Sequence, residues 1–442
     1  MKIYLAAGLL FIAAAAPVSG EEAVSREEFD QLKAELAELK SRPDAPGPAP
    51  AEEKKPPVGE PVFGEYWDEG LHAVSRDGKF DIRIGGRIHI DGAFFRSDEG
   101  IRAAATAIPG NDPFESGWEV RHPRIYLKGR IYNDFIYKLQ YTFSDDTVGD
   151  AFLGAAGVPV LGTVIFGKAA RAFGNDPGPS SNYTLFMEYA NTIIFGAGGQ
   201  VGVAAGAPVL DNRVSWAAQV FQFVDGKGLR TEDNYNLNAR LTGLPWYRDR
   251  GREMLHLGTS YSFRSATENY RLRAQPENHL APYLVDTGEI DIRRANLFVL
   301  EGAWVTGPFS LESEWYSSLV DRTDGLAGLF FSGFYVQSSL FLTGESRGTQ
   351  YVTSYGEFDS PVEPDRDFSL RGGGWGAWQL TARYSYLDLN DREIRGGVLG
   401  DLTIGLNWQL NPDLRWMLNY IHAHRNGYGD ADIIATRFAV NI

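Results

Sequence analysis

The C-terminal stretch, residues 376–442, reads GAWQLTARYSYLDLNDREIRGGVLGDLTIGLNWQLNPDLRWMLNYIHAHRNGYGDADIIATRFAVNI. Apolar and polar residues alternate along it in four short runs. The apolar positions of the first run are Trp378, Leu380, Ala382, Tyr384 and Tyr386. A period of two predicts a β-strand with one apolar and one polar face. Because the last run continues to Ile442, we expect a sheet that closes on itself, since a free edge strand is open to wrong pairing.

The same alternation recurs along most of the chain after residue 71. Ile82, Ile84, Ile88 and Ile90 alternate with charged or polar residues, and Asn133-Asp134 separates two further runs as a hairpin turn does. Two architectures use such strands. A soluble sandwich buries the apolar face, whereas an outer-membrane barrel turns that face to lipid and lines its lumen with the polar one.

Composition limits the class of protein. The 442 residues include 50 glycines, 57 aromatic residues and no cysteine, which is typical of many short strands without a disulfide scaffold. The formal net charge of −15 gives no support to nucleic-acid binding. No sequence motif indicates an enzyme, a cofactor or a metal site. His422 and His424 share a strand face, but they are more simply interfacial residues.

The first 70 residues differ from the rest. Residues 1–20 have the charged start, apolar centre and small-residue end of a cleaved signal peptide, which implies export. Residues 21–42 predict a helix in which Phe29, Leu32, Leu36 and Leu39 form a short coiled-coil seam, although a solitary amphipathic helix would show the same pattern. Residues 43–70 predict a linker rich in proline and alanine. The remaining residues, 71–442, form the sheet.

Three features favour the membrane barrel. The signal peptide permits export, aromatic residues concentrate at strand ends as in interfacial girdles, and the polar face carries many bulky cations. We therefore predict an all-β, transmembrane antiparallel β-barrel of about 16 strands, with a periplasmic coiled-coil helix at its N-terminus. The basic residues expected to line its pore are Arg83, Arg124, Lys128, Arg130, Lys138, Lys168, Arg240, Arg264, Arg383 and Arg415.

Several spaced motifs resemble the phosphate-selective porins O and P of Gram-negative outer membranes. They are Gly85-Gly86-Arg87, the basic stretch 119–130, the stretch 331–345, the stretch 383–389, and Gly405-Leu406-Asn407-Trp408 followed by Asn411-Pro412. The resemblance implies a trimeric 16-stranded barrel in the outer membrane, an inward-folded third loop over about 169–195, and anion passage guided by arginine and lysine. The partners it implies are outer-membrane lipid, two further copies of the chain and small anionic solutes.

The resemblance also assigns a constriction. Arg87 matches the family's arginine after Gly-Gly, Arg121 matches one half of an Arg-Arg pair, and Ser180 and Ser181 match two serines of the loop. His122 replaces the other arginine of the pair, and Tyr189 stands where the loop arginine is expected.

We therefore expect a water-filled channel for small anions, possible substrates being phosphate or related oxyanions, with weaker phosphate binding than a specialised family member. The alternative is a structural or adhesive outer-membrane protein with a plugged lumen. Inward arginines that pair with inward acids would serve structure rather than transport.

Overall fold

The computed structural model describes residues 63–67, 70–169, 172–174, 181–196, 200–229, 234–323 and 325–442. The predicted signal peptide, the coiled-coil helix and most of the linker lie outside the described residues. Among the described residues there are 22 strands and one α-helix, α1 (Glu99–Thr106). The strands are β1 (Phe63–Trp67), β2 (Leu71–Ser75), β3 (Phe80–Ser97), β4 (Gly117–Ile131), β5 (Phe135–Thr142), β6 (Thr147–Val158), β7 (Gly162–Lys168), β8 (Gln200–Val209), β9 (Val214–Phe223), β10 (Asn236–Arg248), β11 (Glu253–Tyr270), β12 (Arg273–Ala274), β13 (Val285–Asp286), β14 (Ile290–Thr306), β15 (Phe309–Arg322), β16 (Leu329–Phe341), β17 (Tyr351–Val352), β18 (Glu357–Phe358), β19 (Ala377–Asp391), β20 (Ile394–Asn411), β21 (Leu414–Arg425) and β22 (Gly429–Asn441).

Sixteen of these described strands form a closed antiparallel barrel, as the alternation predicts. Each barrel strand pairs with the next one along the chain, and β22 closes the sheet by pairing with β3 from Ala431↔Ser97 to Asn441↔Arg87. Ile442 exchanges two backbone hydrogen bonds with Gly86 at the end of this seam. The strand that runs to the last residue therefore has a partner along its whole length.

The polarity of the barrel is inverted relative to a soluble protein. On β3, Ile84, Ile88 and Ile90 face outward and are 43–46% exposed, whereas Arg87 and His89 face inward and are buried. Aromatic residues at strand ends are also exposed on the outside, among them Phe94, Tyr132 and Phe143. This arrangement confirms the membrane barrel over the sandwich, because an apolar outer surface requires lipid and not water.

The two ends of the barrel differ. At one end, the turn end, most connections are short; residues 132–134, 159–161 and 412–413 are examples. The opposite end, the loop end, carries longer connections, including the inward loop (residues 169–199) between β7 and β8 and the β12–β13 loop (residues 271–289). One long connection breaks this rule: the turn-end insert (residues 342–376) joins β16 to β19 at the turn end.

A hairpin of β1 and β2 precedes the barrel. Strand β2 pairs with Asp81–Ile84 of β3, directly below the segment of β3 that pairs with β22. Strand β1 lies inside the range 43–70 predicted as a linker, so regular structure begins earlier than the composition indicates. The reason is local: Phe63, Tyr66 and Trp67 are good strand formers and follow Pro61, the last proline of that range. Among the described residues, no helix is both long and apolar enough to cross a membrane.

Candidate functional site: a basic lumen narrowed by inserted segments

A β-bulge in β4 sets which basic residues face the lumen. The register between β3 and β4 shifts between Arg87 and His89, so that Arg87 is opposite Arg124 while His89 is opposite Arg121. Residues 121 and 124 are three apart, and in a regular strand they would face opposite sides. The extra residue at His122, whose φ is 52°, brings both arginines to the inner face.

The ring of His122 packs against an inward-facing residue of β3. Its ring meets His89 edge to face, with 5.7 Å between ring centroids. The residue that replaces an arginine of the family pattern is thus half-buried against a second histidine.

Five cations line neighbouring strands on the inner face, and together they are called the cationic ladder. Arg83, Lys128 and Lys138 lie side by side in one row across β3, β4 and β5. Arg87 and Arg124 form a second row, four residues or about 13 Å farther along the strands. Like charges that face each other directly destabilise a sheet by about 0.2–1 kcal/mol per pair. Asp150 reduces the positive charge of the ladder through a 2.6 Å ion pair with Lys138.

The upper row of the ladder meets the inward loop. Arg87 donates to the side-chain oxygen of Asn182 at 2.7 Å, and Arg124 donates to the Thr142 hydroxyl at 2.9 Å. Tyr189 lies within electrostatic range of both guanidinium groups. Tyr189 therefore brings a hydroxyl, and no positive charge, to the neighbourhood of Arg87 and Arg124.

Arg121, the other predicted constriction arginine, is committed to an acid. It binds Glu188 of the inward loop through two hydrogen bonds of 2.8 and 2.9 Å. Arg437 of β22 binds the same carboxylate at 2.8 Å and also pairs with Asp91. Burial by itself raises the pKa of Glu188, but the guanidinium groups of Arg121 and Arg437 outweigh burial and hold that pKa below its usual value.

Side chains of the wall and of the turn-end insert also hold the backbone of the inward loop. Arg437 donates a hydrogen bond to the carbonyl of Met187. Four further side chains donate hydrogen bonds of 2.8–3.0 Å to other carbonyls of the loop. These other pairs are Arg383 with Glu188, Arg415 with Thr184, Arg347 with Tyr183 and Asn407 with Leu185. Two residues predicted to line the pore, Arg383 and Arg415, thus fasten the loop to the wall.

The β12–β13 loop and the turn-end insert also enter the lumen. Glu277 of the β12–β13 loop accepts two hydrogen bonds from Arg383 and one from Ser385. From the turn end, Glu357 binds Arg240 at 3.2 Å, and Arg240 also forms a two-point ion pair with Glu301. The positive charge of Arg240, another predicted pore residue, is therefore matched by two buried acids.

The remaining predicted residues have varied surroundings. Lys168 donates to the carbonyls of Val148 and Asp225, and Arg264 lies 5.1–5.8 Å from the centres of three phenylalanine rings. Arg130 is exposed near the turn end. The hydroxyl of Ser181 is buried without a hydrogen-bond partner among the described residues. Ser180 lies outside the described residues.

Sequence reasoning missed the acids that hold the inserted segments. Glu188, Glu277 and Glu357 lie on connections, where no alternation indicates which way a side chain faces. One available signal was Glu188 itself, directly before Tyr189 in a loop expected to fold among arginines. Pro123 was a second signal, because proline inside a strand often marks a bulge.

A closed antiparallel barrel with an apolar exterior, a basic lumen and an inward loop defines the class of outer-membrane porins. The family model of the phosphate-selective porins O and P matches residues 82–442, and the chain belongs to that family. Family and fold indicate a channel rather than an enzyme, and they place the protein in the outer membrane.

Relatives agree with this assignment. An uncharacterized protein of Caulobacter vibrioides is 28% identical, and the alignment covers 90% of this chain and 84% of the relative. Porin O of Pseudomonas aeruginosa is 24% identical, with 83% of this chain and 90% of the relative covered. Among solved structures, a loop-deletion mutant of OmpT, an outer membrane protein of Vibrio cholerae, superimposes with a TM-score of 0.50 at 12% identity. That match covers 82% of this chain and 99% of the other, and it supports the fold alone.

Proposed function

We propose that the protein forms a water-filled channel for passive passage of small anions, phosphate and related oxyanions among them. The observation that carries this proposal is the cationic ladder, in which like charges face each other across three adjacent strands. Charges of one sign in this arrangement repel each other and attract anions. Guanidinium and ammonium groups spaced along a pore replace the hydration of an entering anion and pass it onward.

We further propose that selectivity for phosphate is weak. Glu188 shares its single negative charge between Arg121 and Arg437, and Tyr189 supplies a hydroxyl near Arg87 and Arg124 where a cation would strengthen binding. Ser180 and Ser181 remain candidate donors to the anion.

The assembly proposed for the channel follows the family. Three copies associate in the membrane, the loop end faces outward, and residues 21–42 stand in the periplasm as a coiled coil behind the cleaved segment 1–20. The linker then spans from residue 43 to the start of β1.

Conductance tests the channel directly. The purified full-length protein in planar bilayers should give discrete current steps in potassium chloride, and added phosphate should reduce the chloride current. Lys128→Gln and Arg124→Gln should each weaken this block, whereas Arg96→Gln, which removes an outward-facing cation, should leave it unchanged. Folded protein that gives no current steps would instead favour the structural or adhesive protein with a plugged lumen.

A further inference from the structure

Part of the inner face of β5–β8 is apolar, where a water-filled barrel is expected to be polar. Ile136, Phe152, Ile165 and Ala204 pack together there as one cluster. The register confirms that these residues share the inner face, because Ile165 is directly opposite Ala204 and Gly154 is directly opposite both Ile136 and Ile165. The lumen therefore has a basic side and, next to it, an apolar side.

The described residues leave open space beside the apolar side. A cavity of about 160 Å³ lies against it, bounded also by Ala217 of β9 and by Tyr355 of the turn-end insert. Well-packed protein interiors leave few voids larger than a water molecule. A cavity of about 150 Å³ accepts a molecule the size of benzene. The cavity is thus of the right size for one aromatic ring.

One cation of the ladder, Lys138, is paired across the strands with a residue that lines this cavity. Phe152 lines the cavity and is directly opposite Lys138, which in turn is directly opposite Lys128. Side chains paired in this way have Cβ atoms about 5 Å apart. Lys138 shares its charge with Asp150, and both side chains are about a quarter exposed. At the other end of the cavity, Arg240 is held by Glu301 and Glu357.

We propose that this cavity is a subsite for organic anions that carry an aromatic ring, such as aryl phosphates. The ring occupies the apolar cavity and the anionic group lies at Lys128 and Lys138. This inference rests on the proposed anion channel and narrows its solutes to those in which an apolar body adjoins the charge. The competing explanation is that the apolar cluster only anchors the start of the inward loop, since Ala169 belongs to the same cluster.

Phenyl phosphate and inorganic phosphate separate these explanations. Both are added to the full-length channel in planar bilayers, and the concentration that halves the chloride current is measured for each. Burial of the ring should make phenyl phosphate effective at about a tenfold lower concentration. Equal concentrations for the two compounds would overturn the proposal.

Filling the cavity provides the second readout. Ala217→Leu places a larger side chain in the cavity without changing any charge, and it should remove the advantage of phenyl phosphate while the block by inorganic phosphate persists. Ala218→Leu is the matched control, because the neighbouring residue lies on the outer face of the same strand, where leucine suits lipid. An advantage for phenyl phosphate that survives Ala217→Leu would show that the ring binds elsewhere and would overturn the proposal.

The two proposals fail in different ways. A channel that prefers cations in a chloride gradient contradicts the proposed function, whatever phenyl phosphate does. A channel that prefers anions but does not distinguish the two phosphates keeps the proposed function and loses only the subsite. Current steps from the Ala217→Leu protein itself show that the variant is folded and inserted.

Discussion

At the scale of single residues, Glu188 lowers the positive charge beside the inward loop, where the constriction is proposed. It accepts hydrogen bonds from Arg121 and Arg437, so its removal would leave guanidinium charge facing the lumen. Glu188→Gln should therefore raise the permeability ratio of chloride to potassium. One charge acting on an ion about 7 Å away in water changes its free energy by about 0.6 kcal/mol. Because the change favours chloride and disfavours potassium by this amount, the ratio should increase roughly sevenfold.

Reversal potentials in a salt gradient measure this ratio. Asp321→Asn is a suitable control, since it removes an acid that forms an exposed ion pair with Arg294 rather than with the arginines beside the inward loop. An unchanged ratio in Glu188→Gln would mean that Glu188 does not face the ion path.

The same carboxylate predicts a pH dependence. The pKa of Glu188 in the folded protein lies below its ordinary value of 4.5, because Arg121 and Arg437 together outweigh the effect of burial. A lowered pKa means that the ion pairs contribute fully above pH 4.5 and are lost as the pH falls through the lower value of the folded state. Anion preference should therefore rise as the pH drops below about 4.5. Glu188→Gln should lack this rise, and an identical rise in that variant would assign it to other acids.

Sequence patterns reached some of these residues and not others. Arg87 was accessible because the strand alternation and the Gly-Gly motif place it on the polar face. The pairing of Arg121 with Glu188 was not, because it joins a strand to a loop 67 positions away whose path no periodicity encodes. The arginines differ in their partners: Arg240 and Arg383 bind buried acids, while Arg87 and Arg124 donate to neutral oxygens in the hydrogen bonds described above.

At the scale of elements, Arg347 links two of the inserted segments. It belongs to the turn-end insert, binds Glu312 of the wall at 3.1 Å and donates to the carbonyl of Tyr183 in the inward loop at 2.8 Å. Arg347→Ala leaves Glu312 buried without its partner charge, which should lower the free energy of unfolding by about 3 kcal/mol. It should also loosen the inward loop and make the open-channel current noisier.

Arg366→Ala provides the comparison for this variant, because Arg366 lies exposed in the same insert. Urea titration of the two proteins and single-channel recordings report the two effects. If both variants unfold at the same urea concentration, the insert does not depend on Arg347 for its position.

The elements themselves were largely predictable. Alternation identified the wall strands, and Asn133-Asp134 correctly marked a hairpin between β4 and β5. The turn-end insert was not predictable, since residues 342–376 carry neither alternation nor a helical period and their position depends on buried ion pairs with distant strands. Strand β1 was missed because five residues beside a proline-rich stretch give too short a pattern.

At the scale of the whole molecule, barrel closure depends on two glycines of β3, Gly85 and Gly86. A Cβ atom on Gly86 would lie 2.5 Å from the backbone oxygen of Arg124, and Gly86 bonds to Ile442 at the closing seam. Gly86→Ala should therefore shift the seam and lower the fraction of protein that refolds into a heat-resistant barrel on a gel. Gly117→Ala on the neighbouring strand β4 meets no atom within 4 Å and should refold as the unmodified protein does. Equal yields from the two variants would mean that the seam tolerates a side chain.

At Ile442 the closing seam is made by backbone groups. The backbone hydrogen bonds between Ile442 and Gly86 complete the pairing, so closure depends on the backbone and the glycines more than on the last side chain.

The central claim, that the lumen conducts anions along the cationic ladder, is tested most directly by a reversal potential. The full-length protein is inserted in a planar bilayer between unequal concentrations of potassium chloride, and the voltage at zero current is measured. The account predicts a sign that corresponds to preference for chloride, reduced when Arg124 and Lys128 are both changed to glutamine. A sign that corresponds to preference for potassium in the unmodified channel would contradict it.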